Sequence, residues 1–191
     1  MKEQILDAVS DQMLMISVCD GNMEKLGMLF ERHHGRLFNF FLHLTGNRHL
    51  SEDLVQEVFV RLLKYRHTFR ENSTFTTWMF HIARNVRIDH LRKSPHDEVS
   101  IENSPHEHVS LMPTPGERTE ESEKVQIMRI ALSRLPEEKR EVLLLRGAHG
   151  LKFEEIAEIL KCPVDTIKSR AFRAIQDLRV EVNKLEGMNG Q

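Results

Sequence analysis

The sequence predicts an all-α fold: two small helical domains joined by a flexible acidic linker, the second domain a helix-turn-helix. Three observations predict it. Apolar residues recur at three- and four-residue steps on both sides of the chain's middle, as they do along amphipathic helices. No segment sustains the period-two alternation of a half-buried strand. Residues 94–119 hold four of the six prolines, many acids and little apolar periodicity, which is the composition of a tether.

Residues 1–20 read as an acidic N-terminal extension without an assignable motif. The first domain spans 21–93. Leu26, Leu29, Phe30, Leu37, Phe40, Phe41 and Leu44 line one side of a long helix that stops near Gly46. Ser51 reads as the N-cap of the next helix, with Glu52 and Asp53 in its first turn, where the helix dipole favours acids. Its apolar stripe is Leu54, Val55, Val58, Phe59, Leu62 and Leu63. A polar stretch, 70–74, precedes a third helix that turns Phe75, Trp78, Met79, Ile82 and Val86 inward, with His90 or Leu91 next along the stripe.

The second domain spans 120–191. Val125, Met128, Ala131, Leu132 and Leu135 form its first stripe, and Pro136 suits the first position of a helix over 136–146. Gly147 and Gly150 break that helix. A short helix follows, with Phe153, Ile156, Ala157 and Leu160 inward. Lys161, Cys162 and Pro163 separate it from a long helix with Val164, Ile167, Ala171, Ala174, Ile175, Leu178, Val182 and Leu185 inward. Short helix, tight turn and longer helix make the helix-turn-helix pattern.

The net charge of −2 conceals a segregation. Residues 1–20 carry −3, 21–93 carry +5, 94–124 carry −6 and 125–191 carry +2. Such alternation suits two basic domains meeting an anionic partner, although scattered solvated charges give similar totals. The acidic tracts are placed to compete with phosphates for the basic domains, or to serve as plain spacers. No window approaches eighteen uninterrupted apolar residues, so no membrane insertion is expected. The polar N-terminus does not resemble a secretory signal. Two cysteines, Cys19 and Cys162, are too few for a disulfide scaffold or a four-thiolate zinc site. The expectation is a soluble protein of a reducing compartment, the cytoplasm.

With the Val164 stripe inward, Asp165, Thr166, Ser169, Arg170 and Arg173 lie on the opposite face of the last helix, with Lys168 beside them. Arg and Lys donate to guanine edges and phosphates, and Ser and Thr donate or accept, so the face suits a major groove. It equally suits a solvated helix surface. In the first domain, Trp78 and Phe80 accompany Arg84, Asn85, Arg87, Arg92 and Lys93, after a polar loop from Phe69 to Thr74. Aromatics beside Arg and amides hold unstacked single-stranded bases, although Trp78 and Phe75 also fit a core at helical spacing. Glu52, Asp53, Gln56 and Glu57 offer a polar face that can grip a partner or simply be solvated.

The strings Ser51-Glu-Asp-Leu-Val-Gln-Glu-Val-Phe59 and Phe75-Thr-Thr-Trp78…Ile82-Ala-Arg-Asn85…Ile88-Asp-His-Leu-Arg92 resemble region two of bacterial sigma factors of the extracytoplasmic-function type. Leu135-Pro-Glu-Glu…Arg140-Glu-Val-Leu-Leu-Leu-Arg146, Phe153-Glu-Glu-Ile-Ala157 and Thr166-Ile-Lys-Ser-Arg170…Arg173 resemble region four. The resemblance implies a sigma factor that binds core RNA polymerase, directs it to promoter DNA and promotes opening, with no catalysis and no cofactor of its own. It implies polymerase contacts at Asp53, Leu54, Val55, Gln56, Glu57, Val58 and Phe59. It implies −10 contacts at Phe69, Arg70, Asn72, Ser73, Thr74, Trp78, Arg84, Asn85 and Arg87. It implies −35 contacts at Thr166, Lys168, Ser169, Arg170, Phe172 and Arg173, and leaves open whether an anti-sigma factor is a further partner.

The chain departs from the family pattern at Asp165, where many relatives carry Gly, and at Phe80-His81, commonly Tyr-Arg. The alternative is an autonomous helix-turn-helix regulator acting without polymerase, against which the 53–59 string and the 78–92 helix argue. A metal site at His33/His34 or at His96, His106 and His108 is not expected, since a Pro-rich tether supplies no fixed ligand geometry.

Overall fold

The computed structural model describes residues 9–70, 73–93 and 120–189. Among these residues the chain is helical, with no strand. The helices are α1 (Asp11–Cys19), α2 (Glu24–Thr45), α3 (Arg48–Lys64), α4 (Phe75–Lys93), α5 (Glu120–Ser133), α6 (Glu137–Leu143), α7 (Phe153–Leu160) and α8 (Val164–Asn189). Two compact units result, one within 1–41 and 49–98, the other within 42–48 and 99–191. Asn72, the tract 94–119 and its histidines lie outside the described residues.

In the first unit the core is aliphatic with Phe fillers. Phe40, Phe41, Phe75 and Phe80 are fully enclosed, and Phe40 meets Phe41 and Phe80 edge to face. The expected stripe of α2 buries Leu29, Leu37, Phe40 and Phe41, but Phe30 sits at the rim, 36% exposed. Gly46 ends α2 in the left-handed region (φ +66), and its N–H returns to the Leu42 carbonyl at 2.9 Å. The next helix therefore starts at Arg48, not at Ser51. Ser51 is buried one turn inside α3, so it is no N-cap, and Glu52 and Asp53 lie beyond the first turn.

The N-terminal segment is part of this unit. Ser10 caps α1 by accepting the Met13 N–H at 3.2 Å, and Leu14, Met15 and Val18 are wholly buried. The boundary expected at 20/21 thus cuts through a packed core.

In the second unit α6 packs against α8, as do α5 and α7. Buried Arg140 donates from Nη2 to the carbonyls of Ser133 and Leu135, both at 2.8 Å. These are carbonyls at the end of α5 that no helical N–H reaches. Pro136 is the N-cap of α6 and not its first residue. The helix ends at Leu143 and widens into a π-helical turn, Leu144–Ala148, before Gly150 (φ +71). The stripe of α5 is rotated from expectation. Val125 and Met128 are exposed while Ala131 is buried, because Ile127 and Ile130 supply a second apolar row that the packing prefers.

Candidate nucleic-acid interface

The loop between α3 and α4 begins with a 3-10 turn, Arg66–Thr68, closed by the Phe69 N–H on the Arg66 carbonyl. Phe69 packs against Trp78 (ring centroids 5.1 Å) and Phe75 (6.4 Å), tying the loop to the first turn of α4. Thr74 precedes α4 and accepts the Thr77 N–H through Oγ1 at 3.3 Å. Phe75 is core. Arg70 and Thr74 are exposed, and Phe69, Ser73 and Trp78 are half-buried.

Along α4, Trp78, His81, Asn85 and Arg92 follow one another at helical steps on the outer face. Asn85 Nδ2 and His81 Nδ1 lie 3.4 Å apart. Arg84 is half-buried at its edge. Two expected members of this face are turned inward: Phe80 is wholly enclosed and Arg87 only 4% exposed. The steps Phe80, Ala83, Arg87 continue a buried row, which removes both side chains from any strand lying on the outer face.

On α3 the polymerase-matching string splits by periodicity. Leu54, Val55, Val58 and Phe59 are buried and hold the helix down, while Asp53, Gln56 and Glu57 are exposed. Val60, 59% exposed, extends this face and carried no charge or motif to single it out. Phe30 adjoins it, stacked on His34 and edge-on to Phe59, each at 4.9 Å. Arg61 links Glu57 (2.7 Å) to Asp89 on α4 (2.6 Å), and this guanidinium holds the Asp89 carboxyl below its usual range.

In the second unit α7 opens with the Lys152 N–H on Glu155 Oε2 at 2.7 Å. Arg146 lies over the Phe153 ring, 4.8 Å from its centre. Lys161 takes a left-handed conformation (φ 53), and the Cys162 N–H returns to the Ala157 carbonyl at 3.1 Å, which makes the tight turn. Ile167, Ala171 and Ala174 of α8 are buried, whereas Ile175 is exposed. The opposite face carries exposed Asp165, Thr166, Lys168, Ser169, Phe172 (66%) and Arg173. Arg170 differs from these. It is half-buried and pairs with Glu138 of α6 at 3.0 Å.

No group of three or more His, Cys, Asp or Glu side chains among the described residues is arranged to hold a metal. No helix among them is long and apolar enough to cross a membrane.

Residues 29–95 match the Sigma-70 region 2 family, and residues 126–178 match the family described as Sigma-70, region 4. The ECF RNA polymerase sigma-E factor of Escherichia coli (strain K12) is 31% identical over 187 residues, covering 94% of this chain and 97% of that protein. The chain belongs to the ECF family of RNA polymerase sigma factors. A further relative, the RNA polymerase sigma-H factor of Pseudomonas aeruginosa, is 28% identical over 178 residues, 89% of this chain and 92% of that one. The structure of CnrH with the cytosolic domain of CnrY shares the fold, with a TM-score of 0.68 at 22% identity, over 91% of this chain and 97% of that one. The sigma factor RpoE of Bartonella quintana, in complex with the anti-sigma factor NepR, gives 0.65 at 28% identity, covering 82% of this chain and 96% of that one. The region 2 match sets this sigma factor apart from a helix-turn-helix regulator that acts without polymerase.

Proposed function

We propose that this sigma factor divides promoter recognition between its two units. The exposed side of α3, with Asp53, Gln56 and Glu57, docks on core polymerase. The 69–74 loop and the outer face of α4 hold an unpaired −10 strand, with Trp78 and Phe69 as stacking surfaces and Arg70, Arg84 and Asn85 as polar contacts. The face of α8 from Thr166 to Arg173 enters the −35 major groove, where Lys168 and Arg173 donate to guanine edges and phosphates. The observation that carries this reading is the α8 face: its polar side chains and Phe172 stand exposed opposite buried Ile167, Ala171 and Ala174, behind a tight helix-turn-helix turn.

Neither unit is assigned a catalytic step, since chemistry belongs to the polymerase. The reading puts the chain in the cytoplasm, where bacterial polymerase and promoter DNA are. The likeness to RpoE, whose structure includes an anti-sigma factor, supports a partner of that kind here. Transcription by purified core polymerase on a promoter library, with and without this chain, tests the reading. Selective initiation at a subset of promoters is expected only in its presence. The double substitution Asp53→Ala/Gln56→Ala should weaken capture of core polymerase at unchanged helical content. Undiminished capture would remove α3 from the interface.

A further inference from the structure

Helix α1 lies outside the segment that matches region 2, yet two of its polar side chains, Gln12 and Cys19, reach the two ends of the segment joining α3 to α4. At the segment's start, Cys19 Sγ donates to the Arg66 carbonyl at 3.1 Å. At its end, Gln12 makes two bonds at once. Its Nε2 donates to the Ser73 carbonyl at 2.7 Å, and its Oε1 accepts the Phe75 N–H at 3.1 Å. The Phe75 N–H is the first of α4 and has no intrahelical acceptor. Thr74 Oγ1 takes the Thr77 N–H, and the acceptor for Phe75 comes from Gln12, elsewhere in the fold. One amide thus spans Thr74 from both sides and fixes the backbone on which Ser73 and Thr74 stand. The anchor is itself held. Leu14, Met15 and Val18 are buried behind it, and the adjacent Asp11 pairs with Arg32 (2.7 Å) and His33 (2.6 Å), whose ring packs on Phe75.

We propose that Gln12 is a positioning residue for −10 recognition: it sets where the loop from α3 enters α4, and so which base the loop accepts. The proposal rests on the assignment of the 69–74 loop to the −10 strand. Gln12 touches no DNA in this scheme. It acts through the Ser73 carbonyl and the Phe75 N–H, while the exposed Arg70 and Thr74 meet the strand.

The test uses the full chain assembled with core polymerase, on four promoters that differ only in the base presented to the loop. The readout is the ratio of open-complex formation on the preferred base to that on the poorest, which does not change when a variant merely lowers the active fraction. Gln12→Ala removes both hydrogen bonds and should cut this ratio about fivefold or more, since the net worth of even one such bond corresponds to about fivefold, with polymerase capture unchanged. Gln12→Glu keeps the acceptor for Phe75 but sets a carboxylate oxygen against the Ser73 carbonyl in place of the donor, and should also lower the ratio. It also decides the matter if Gln12→Ala does not fold. A folded variant with an unchanged ratio overturns the proposal, as does a loss equal on all four promoters. Arg70→Ala, run in parallel, separates the two levels. If it lowers the ratio and the Gln12 variants do not, the brace alone falls. If none of them lowers it, the loop assignment falls as well.

Discussion

The face proposed for the −35 element is one helix of the second unit presenting side chains at regular steps, whereas the face proposed for the −10 strand is assembled from distant segments of the first. In α8 the same periodicity that buries Ile167, Ala171 and Ala174 exposes Thr166, Lys168, Ser169 and Arg173. Geometry there follows from the helix itself. In the first unit the loop is closed by Phe69 on Trp78, ends at Thr74, which caps α4, and is bonded at the Ser73 carbonyl by Gln12, 61 positions away. A face of the first kind tolerates change one residue at a time. A face of the second kind depends on residues that never approach the ligand.

The largest effects should come from the cores beneath the two faces. Phe75→Ala removes a wholly buried ring that also packs on His33, Phe69 and Trp78, and should cost about 3–5 kcal/mol. Ile167→Ala should cost about 2–5 kcal/mol. Urea unfolding measures both losses, and promoter assays assign them. Phe75→Ala should abolish −10-dependent opening with −35 binding retained, and Ile167→Ala the reverse. Crossed phenotypes would break the contrast between the faces.

A smaller effect separates the arginines within α8. Arg173 is exposed, and its loss should cost about 1–3 kcal/mol of −35 affinity if it holds a base edge. If it holds phosphate, the loss should be equal across sequences and the salt dependence should flatten. Arg170 already pairs with Glu138, so Arg170→Ala should weaken −35 binding less than Arg173→Ala does. Fluorescence anisotropy over a salt series distinguishes these outcomes. The reverse ranking would mean that the Glu138 pair opens on DNA.

How far the sequence reveals each face follows from the same contrast. The turn at Lys161, Cys162 and Pro163 and the inward steps Ile167, Ala171 and Ala174 of α8 are legible because local spacing determines them, although Ile175, expected inward, is exposed. Local spacing fails where two rows compete, as in α5, where Val125 and Met128 form as good a stripe as Ile127 and Ile130. It fails at Ser51, whose Ser-Glu-Asp string reads as a cap although Gly46 has already turned the chain and α3 has begun. Arg87 reads as a surface cation, yet it sits seven residues after buried Phe80 on the same row, a signal its charge obscures. Nothing local marks Gln12. Its partners are backbone groups in another segment, and only the folded chain brings them together.

The smallest effect concerns the anchor of the loop before α4 and appears as a slope against pH. His33 is buried, and its Nε2 faces Asp11 Oδ2 at 2.6 Å. Its Nδ1 has no hydrogen-bond partner among the described residues. Protonating Nδ1 would place an N–H and a charge where no acceptor answers them. Burial accordingly holds the imidazole below its ordinary value of 6.5 despite the attraction of Asp11. Partial burial alone would raise the Asp11 carboxyl, but hydrogen bonds from Arg32 and His33 outweigh it and hold Asp11 below 3.8. In both groups the unfolded chain binds protons more readily than the folded one. Stability is therefore lost as pH falls, first below 6.5 through His33 and then below 3.8 through Asp11. His33→Gln should flatten the loss of thermal stability between about pH 7.5 and 5.5 relative to the native chain, and should leave −35 binding untouched over that range. An unchanged slope would mean that His33 takes up its proton as easily in the fold as outside it, and that this anchor is less closed to water than its burial indicates.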